Sequence, residues 1–142
     1  MQVARQIAAL PFRHEDDGTV RVLLVTSREA KRWIIPKGWP WPGCDDWLGA
    51  AHEAREEAGI IGRMAPTALG SFVYEKRRST SIIPVRVTVY LLEVTDMLDD
   101  WPEKHERQRA WFTPAEAAQA VDVPGLKAML QSVADLARSA RL

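Results

Sequence analysis

One short helix crowded with acid constrains this chain more than any other stretch. From Asp46 to Ala58 the sequence reads DWLGAAHEAREEA. Asp46 is suited to an N-cap, alanines fill the middle, and Gly59 stands where a left-handed C-terminal residue belongs. Glu53, Glu56 and Glu57 are spaced so that all three carboxylates project from one face. Like charges at that spacing repel, and Glu56 and Glu57 also lie near the negative end of the helix dipole. A cation among them relieves the conflict. Carboxylate oxygens are the ligands that hard divalent ions take, and Mg²⁺ favours sites where substrate phosphates complete its shell. A solvated helix surface is the plainer reading of the same face.

The rest of the chain supplies strands and two further helices. Arg5 to Phe12 and Val20 to Thr26 are β-type runs joined by the acidic turn HEDDGT. Within the second, VLLV predicts a strand buried on both faces. Arg32 to Pro36 is a short strand leading into a loop, Trp39-Pro40-Trp41-Pro42-Gly43, whose two prolines fix the backbone. Leu69 to Tyr74 and Val85 to Val94 read as strands flanking a basic tip, EKRRSTS, the second supported by the alternation in VRVTVYLLEV. Arg109 to Phe112 is a candidate final strand. Thr113 as N-cap, Pro114 at the first helical position and Glu116 at the third start a helix. Leu126, Met129, Leu130, Val133 and Leu136 line one face of a C-terminal helix, core more readily than dimer surface.

Cations gather around the acid. Lys31, Arg32 and Lys37 flank the loop before the helix, Lys76, Arg77 and Arg78 cluster in the later tip, and Arg5, Arg28, Arg107 and Arg109 are isolated candidates. A dense anion such as a polyphosphate must be neutralised by such donors before it can sit beside glutamates.

The stretch from Gly38 to Ile60 resembles the Nudix box: a glycine, five residues, Glu, seven residues, then Arg-Glu-apolar-any-Glu-Glu-any-Gly-apolar. Gly38 matches the first glycine, and Glu53, Ala54, Glu56, Glu57, Gly59 and Ile60 match the helical half. Two positions depart: Cys44 stands at the first Glu and His52 at the Arg. In the family that arginine pairs with box glutamates and helps hold the loop, so losing acid and base together reads as a coupled structural change. RWIIPKG, the basic tip after LGSF, and EVTDMLDDWPEKHERQRAWFTPAEA are similar to the diphosphoinositol-polyphosphate phosphohydrolase branch, whose members also cleave diadenosine polyphosphates. The similarity runs from about Arg5 to Leu130.

That resemblance implies an α/β/α sandwich with a mixed β-sheet between helices, formed by one domain spanning residues 1–142. It implies Mg²⁺ or Mn²⁺ held by Glu53, Glu56 and Glu57 with the Gly38 carbonyl, and hydrolysis of a phosphoanhydride bond. The expected substrate is a small phosphorylated molecule: a nucleoside diphosphate linked to another group, a diadenosine polyphosphate or a diphosphoinositol polyphosphate. Arg5, Arg28, Lys76 or Arg78, and Arg107 fall near positions where the branch holds phosphates, and Lys37 joins them as a candidate. The base is left open among Glu56, Glu57, Glu103 and Glu106. A non-catalytic Nudix domain that binds a nucleotide or a protein partner is the competing expectation.

Plainer roles stand beside several of these. The basic tip is otherwise an exposed hairpin end, the six tryptophans pack core or loop unless Trp39 or Trp41 stacks on a base, and His52 packs or is solvated. Nineteen basic and nineteen acidic side chains leave no net charge, which argues against a general nucleic-acid binder. Cys44 is the single cysteine, so no internal disulfide forms, as suits a reducing cytosol. No stretch approaches a membrane span and the N-terminus has no long apolar run. The expectation is a cytoplasmic protein, monomer or homodimer.

Overall fold

The computed structural model describes residues 3–138. Eight strands form one sheet: β1 (Ala4–His14), β2 (Val20–Thr26), β3 (Trp33–Ile34), β4 (Lys37–Gly38), β5 (Ile60–Met64), β6 (Gly70–Arg77), β7 (Ile82–Met97) and β8 (Arg109–Phe112). Helices α1 (Asp46–Ala58), α2 (Pro114–Ala120) and α3 (Pro124–Arg138) complete the described fold. The order β3-β2-β1-β7-β5 carries β4 on β1, β6 on β7 and β8 on β2. Only β1 and β7 run parallel, in register from Ala4↔Val85 to Phe12↔Glu93, while the other pairs are antiparallel. The sheet is therefore mixed, as expected.

Period-two alternation sends each strand's side chains to opposite faces, and two cores result. Ala8, Leu10, Val22, Leu24, Val87 and Val89 pack with Leu126, Leu130 and Val133 of α3. Ala9, Leu23, Val25 and Leu92 pack with Ala50, Ala54 and Ala58 of α1. The run Val22 to Val25 is fully buried, so VLLV serves both layers. The small face of α1 lets it approach closely: a Cβ added at Gly49 would stand 2.4 Å from the Ile7 Cδ1.

Several local readings need correction. Asp45, not Asp46, is the residue preceding the first helical one, and it makes no side-chain capping bond. The Asp46 carboxylate instead accepts from Arg5. The strand expected over Arg32 to Pro36 is only Trp33–Ile34, with Ile34 pairing Val25 of β2, and a separate short strand follows it, in which Lys37 and Gly38 pair Ala8 and Ile7 of β1. Between them the chain crosses from one strand to the next, which delivers Lys37 and Gly38 beside α1. The basic tip is narrower than EKRRSTS, because Glu75, Lys76 and Arg77 continue β6 against Pro84, Ile83 and Ile82. Strand β5 has no counterpart in the sequence reading. It pairs with the far half of β7, from Leu92 to Met97, through a bulge at Ile61/Gly62.

The start of α2 is as the sequence predicts. Thr113 Oγ1 accepts from the Glu116 amide at 3.1 Å, and Glu116 Oε1 accepts from the Thr113 amide at 3.0 Å. Thr113→Ala should cost about 1 kcal/mol of stability, read as a shifted urea midpoint with an unchanged slope.

Candidate active site

The carboxyl end of α1 is held from outside the helix. Gly59 takes the left-handed conformation, φ 65°. Arg109 donates to the Ala58 and Gly59 carbonyls at 2.8 and 3.1 Å, and Trp101 Nε1 donates to the Glu57 carbonyl at 3.1 Å. A cation at the last carbonyls of the helix also complements the helix dipole. These contacts fix the rotation of the helix and thus where its glutamates point.

Glu53 and Glu57 face a cavity of about 340 Å³ beside β4. Glu57 is 7% exposed. One of its carboxylate oxygens accepts from the Lys37 amide at 3.3 Å, and the other from Arg107 Nη2 at 3.3 Å. Arg107 is itself buried, bridging to Glu103 Oε1 at 2.7 Å and to the Thr26 carbonyl at 3.1 Å. Glu53 is clamped differently. Its Oε2 accepts from Trp41 Nε1 at 2.8 Å, and its carboxyl lies against the α-carbon of Gly38, where an added Cβ would stand 2.4 Å from Cδ. The first box glycine is thus a glycine for lack of room.

Burial dominates the electrostatics. It pushes the Glu57 carboxyl from 4.5 up to about 7, with Arg107 opposing and Glu53 and Glu103 adding repulsion. Glu53 is also raised, by burial first and then by Glu56 and Glu103, against the Trp41 hydrogen bond. On the same wall Lys37 donates to the Tyr74 hydroxyl at 3.0 Å and to Gln6 Oε1 at 3.3 Å, and burial lowers its pKa. The cavity therefore holds two carboxyls whose charged forms burial disfavours beside a lysine whose charged form burial also disfavours.

Of the cations singled out from sequence, Arg28, Lys37, Lys76 and Arg107 line this cavity with Gly38, Glu53 and Glu57. Arg5 and Arg78 do not: Arg5 is ion-paired with Asp46, and Arg78 is at the exposed hairpin end, its amide bonded to the Ser81 carbonyl. Glu56 is half-buried, does not line the cavity, and offers its carbonyl to the Glu103 amide at 3.1 Å. Of the two later acids, Glu103 lines the cavity, whereas Glu106 faces the neighbouring surface with Lys31 and His105. Gln6 and Ser27 also line it, and no sequence signal marks them. His52 is exposed and stacks on Trp41, with ring centroids 4.5 Å apart. That stack occupies one face of the Trp41 indole with protein.

The donors suit a hard cation in kind: carboxylates and a backbone carbonyl, all oxygen. Among the described residues no three His, Cys, Asp or Glu side chains converge tightly enough to enclose an ion. Mg²⁺ does not require that, since it keeps several waters and often takes only one or two carboxylates plus substrate phosphate.

The sequence matches the NUDIX domain over residues 4–133. It is 35% identical over 115 residues to diphosphoinositol polyphosphate phosphohydrolase 2 of Rattus norvegicus, covering 80% of this chain and 60% of that protein. With diphosphoinositol polyphosphate phosphohydrolase 3-beta of Homo sapiens the identity is 35%, covering 80% of this chain and 66% of that protein. The chain thus spans less than two thirds of the length of these relatives. In fold it is similar to a crystal structure of a C. elegans Ap4A hydrolase binary complex, at a TM-score of 0.70 and 22% identity over 96% of this chain and 99% of that one. No helix among the described residues is long and apolar enough to cross a membrane.

Proposed function

Because this chain belongs to the Nudix family, we propose that it hydrolyses a phosphoanhydride bond in a small phosphorylated substrate with the help of Mg²⁺ or Mn²⁺. One observation carries the reading. Two carboxyls raised by burial, Glu53 and Glu57, share a cavity with Arg28, Lys37 and Lys76. Such a cavity suits a divalent cation and a polyanion arriving together better than either alone.

Glu53 and Glu57, with the Gly38 carbonyl, would hold the ion, and Glu56, outside the cavity lining, would stand aside from it. Such an ion would supply charge neutralisation of pyrophosphate oxygens and a more acidic water for in-line attack on phosphorus. Arg28, Lys37 and Lys76 take the phosphate charge that the ion leaves. Arg107 keeps Glu57 and Glu103 oriented from behind. A carboxylate not holding the ion accepts the proton from the attacking water, and Glu103 is the candidate outside the box that faces the cavity.

The substrate class follows the relatives: a diphosphoinositol polyphosphate, a diadenosine polyphosphate, or a nucleoside diphosphate linked to another group. A cytoplasmic location is part of the same reading. The second reading is a domain that binds without catalysis, favoured by Cys44 and His52 at the departing box positions and by Arg107 already paired with Glu57. Product release from a panel of those three substrate types, with Mg²⁺ or Mn²⁺ and with chelator, separates the two. Metal-dependent release from at least one type is expected. Binding of a panel member with no release under any metal would overturn the catalytic reading.

A further inference from the structure

The box departs at Cys44 and His52, and the structure puts one side chain between them. Trp41 leaves the loop in a turn closed by the Cys44 amide, which donates to the Trp41 carbonyl at 3.2 Å. Its indole lies on α1. One edge meets the helix at Gly49, where an added Cβ would stand 3.3 Å from Trp41 Cδ1. A ring face stacks on His52 at 4.5 Å, with the planes 20° apart. The Nε1–H then points at Glu53 Oε2, 2.8 Å away. Neither the stack nor the hydrogen bond is needed for the core, since Trp41 belongs to neither apolar cluster.

We propose that Trp41, backed by His52, is a positioning residue that fixes the Glu53 carboxylate for the divalent cation. The proposal rests on the metal-dependent reading above. Gly38 packs against the carboxylate, and the indole N–H occupies one of its oxygens. The remaining oxygen is left as donor. A carboxylate held at two points loses little freedom when an ion binds, and partners of this kind are worth about 10–100-fold in metal affinity. The stack sets the indole's angle, and the turn at Cys44 sets its reach. A tryptophan anchored this way needs neither an acid at position 44 nor a guanidinium at position 52.

The test is a Mn²⁺ titration of the metal-free protein, followed by electron paramagnetic resonance of the free ion, on wild type, Trp41→Phe and His52→Ala. Phenylalanine keeps a ring to stack on His52 and removes the donor; circular dichroism and the melting curve confirm that each variant is folded. Mn²⁺ binding to Trp41→Phe is expected to weaken about 10–100-fold. In His52→Ala it should weaken in the same direction and by less. At saturating Mn²⁺ the KM for substrate should stay within about twofold of wild type, because the indole acts through the ion's ligand. Trp41→Phe binding Mn²⁺ within twofold of a wild type that does bind it overturns the positioning role alone. Wild type that binds no Mn²⁺ overturns the metal-dependent reading together with it. Should Trp41→Phe fail to fold, His52→Ala decides, since His52 is exposed: affinity equal to wild type overturns the role.

Discussion

Glu57→Gln is expected to lower metal-dependent turnover by at least ~10³-fold, about 4 kcal/mol of transition-state stabilisation, while the protein stays folded. The amide oxygen can accept from only one of the two donors, Arg107 or the Lys37 amide, which in wild type take separate carboxylate oxygens, so part of the local frame survives and the charge does not. The same variant changes the pH dependence of stability in a direction that burial dictates. The Glu57 carboxyl sits at about 7 in the folded protein against 4.5 ordinarily. Between those values the folded chain binds a proton that the unfolded chain has released. For this group, stability of the metal-free protein is therefore greatest below pH 4.5 and falls as pH rises to 7, by on the order of 3 kcal/mol. Glu57→Gln cannot titrate there. Urea midpoints of the metal-free proteins should converge at low pH and separate above neutrality, with the variant the more stable. Parallel curves would show that Glu57 carries no raised pKa. Adding Mn²⁺ should narrow the gap by stabilising wild type alone.

Gly38→Ala is the second large effect, and it separates function from stability. The added methyl falls within 2.4–2.6 Å of all three carboxyl atoms of Glu53. What it strikes is the end of a flexible side chain, so the fold can yield by moving Glu53 away. A displacement of about 1 Å at a reacting centre is enough to cost roughly 100-fold in rate. The expected result is a melting temperature near wild type, turnover down about 100-fold, and weaker Mn²⁺ binding. A variant that retains wild-type turnover would mean that the position of Glu53 does not matter to the reaction.

Much of this arrangement is legible in the sequence because it is local. The Nudix box places Gly38, Glu53 and Glu57 by spacing alone, and the helix Asp46–Ala58, with Gly59 as its left-handed end, follows from short-range chemistry. Strand Val20–Thr26 is marked by its apolar run, and Arg109–Phe112 is legible as a candidate strand just before the helix start at Thr113. What sequence does not reveal is set by pairing over distance. Strand Ile60–Met64 is short, interrupted by Gly62, and exists because the far half of Ile82–Met97 offers it a partner. Arg107 is one of several isolated arginines until the fold buries it between Glu57 and Glu103. Arg5, by contrast, is drawn to Asp46. Trp41 looks like any loop tryptophan, and its contact with Glu53 depends on the loop folding back onto α1. The departures at Cys44 and His52 were the one hint that something else holds that carboxylate.

The central claim is that the acid on α1 is there to bind a divalent cation in the presence of phosphate. Crystals soaked with Mn²⁺ and a non-hydrolysable phosphoanhydride, measured at the manganese absorption edge, test it most directly. The account predicts an anomalous peak bounded by Glu53, Glu57 and the Gly38 carbonyl, with substrate phosphate on its open side. An ordered phosphoanhydride in the cavity with Glu57 still on Arg107 and no peak beside Glu53 would contradict it.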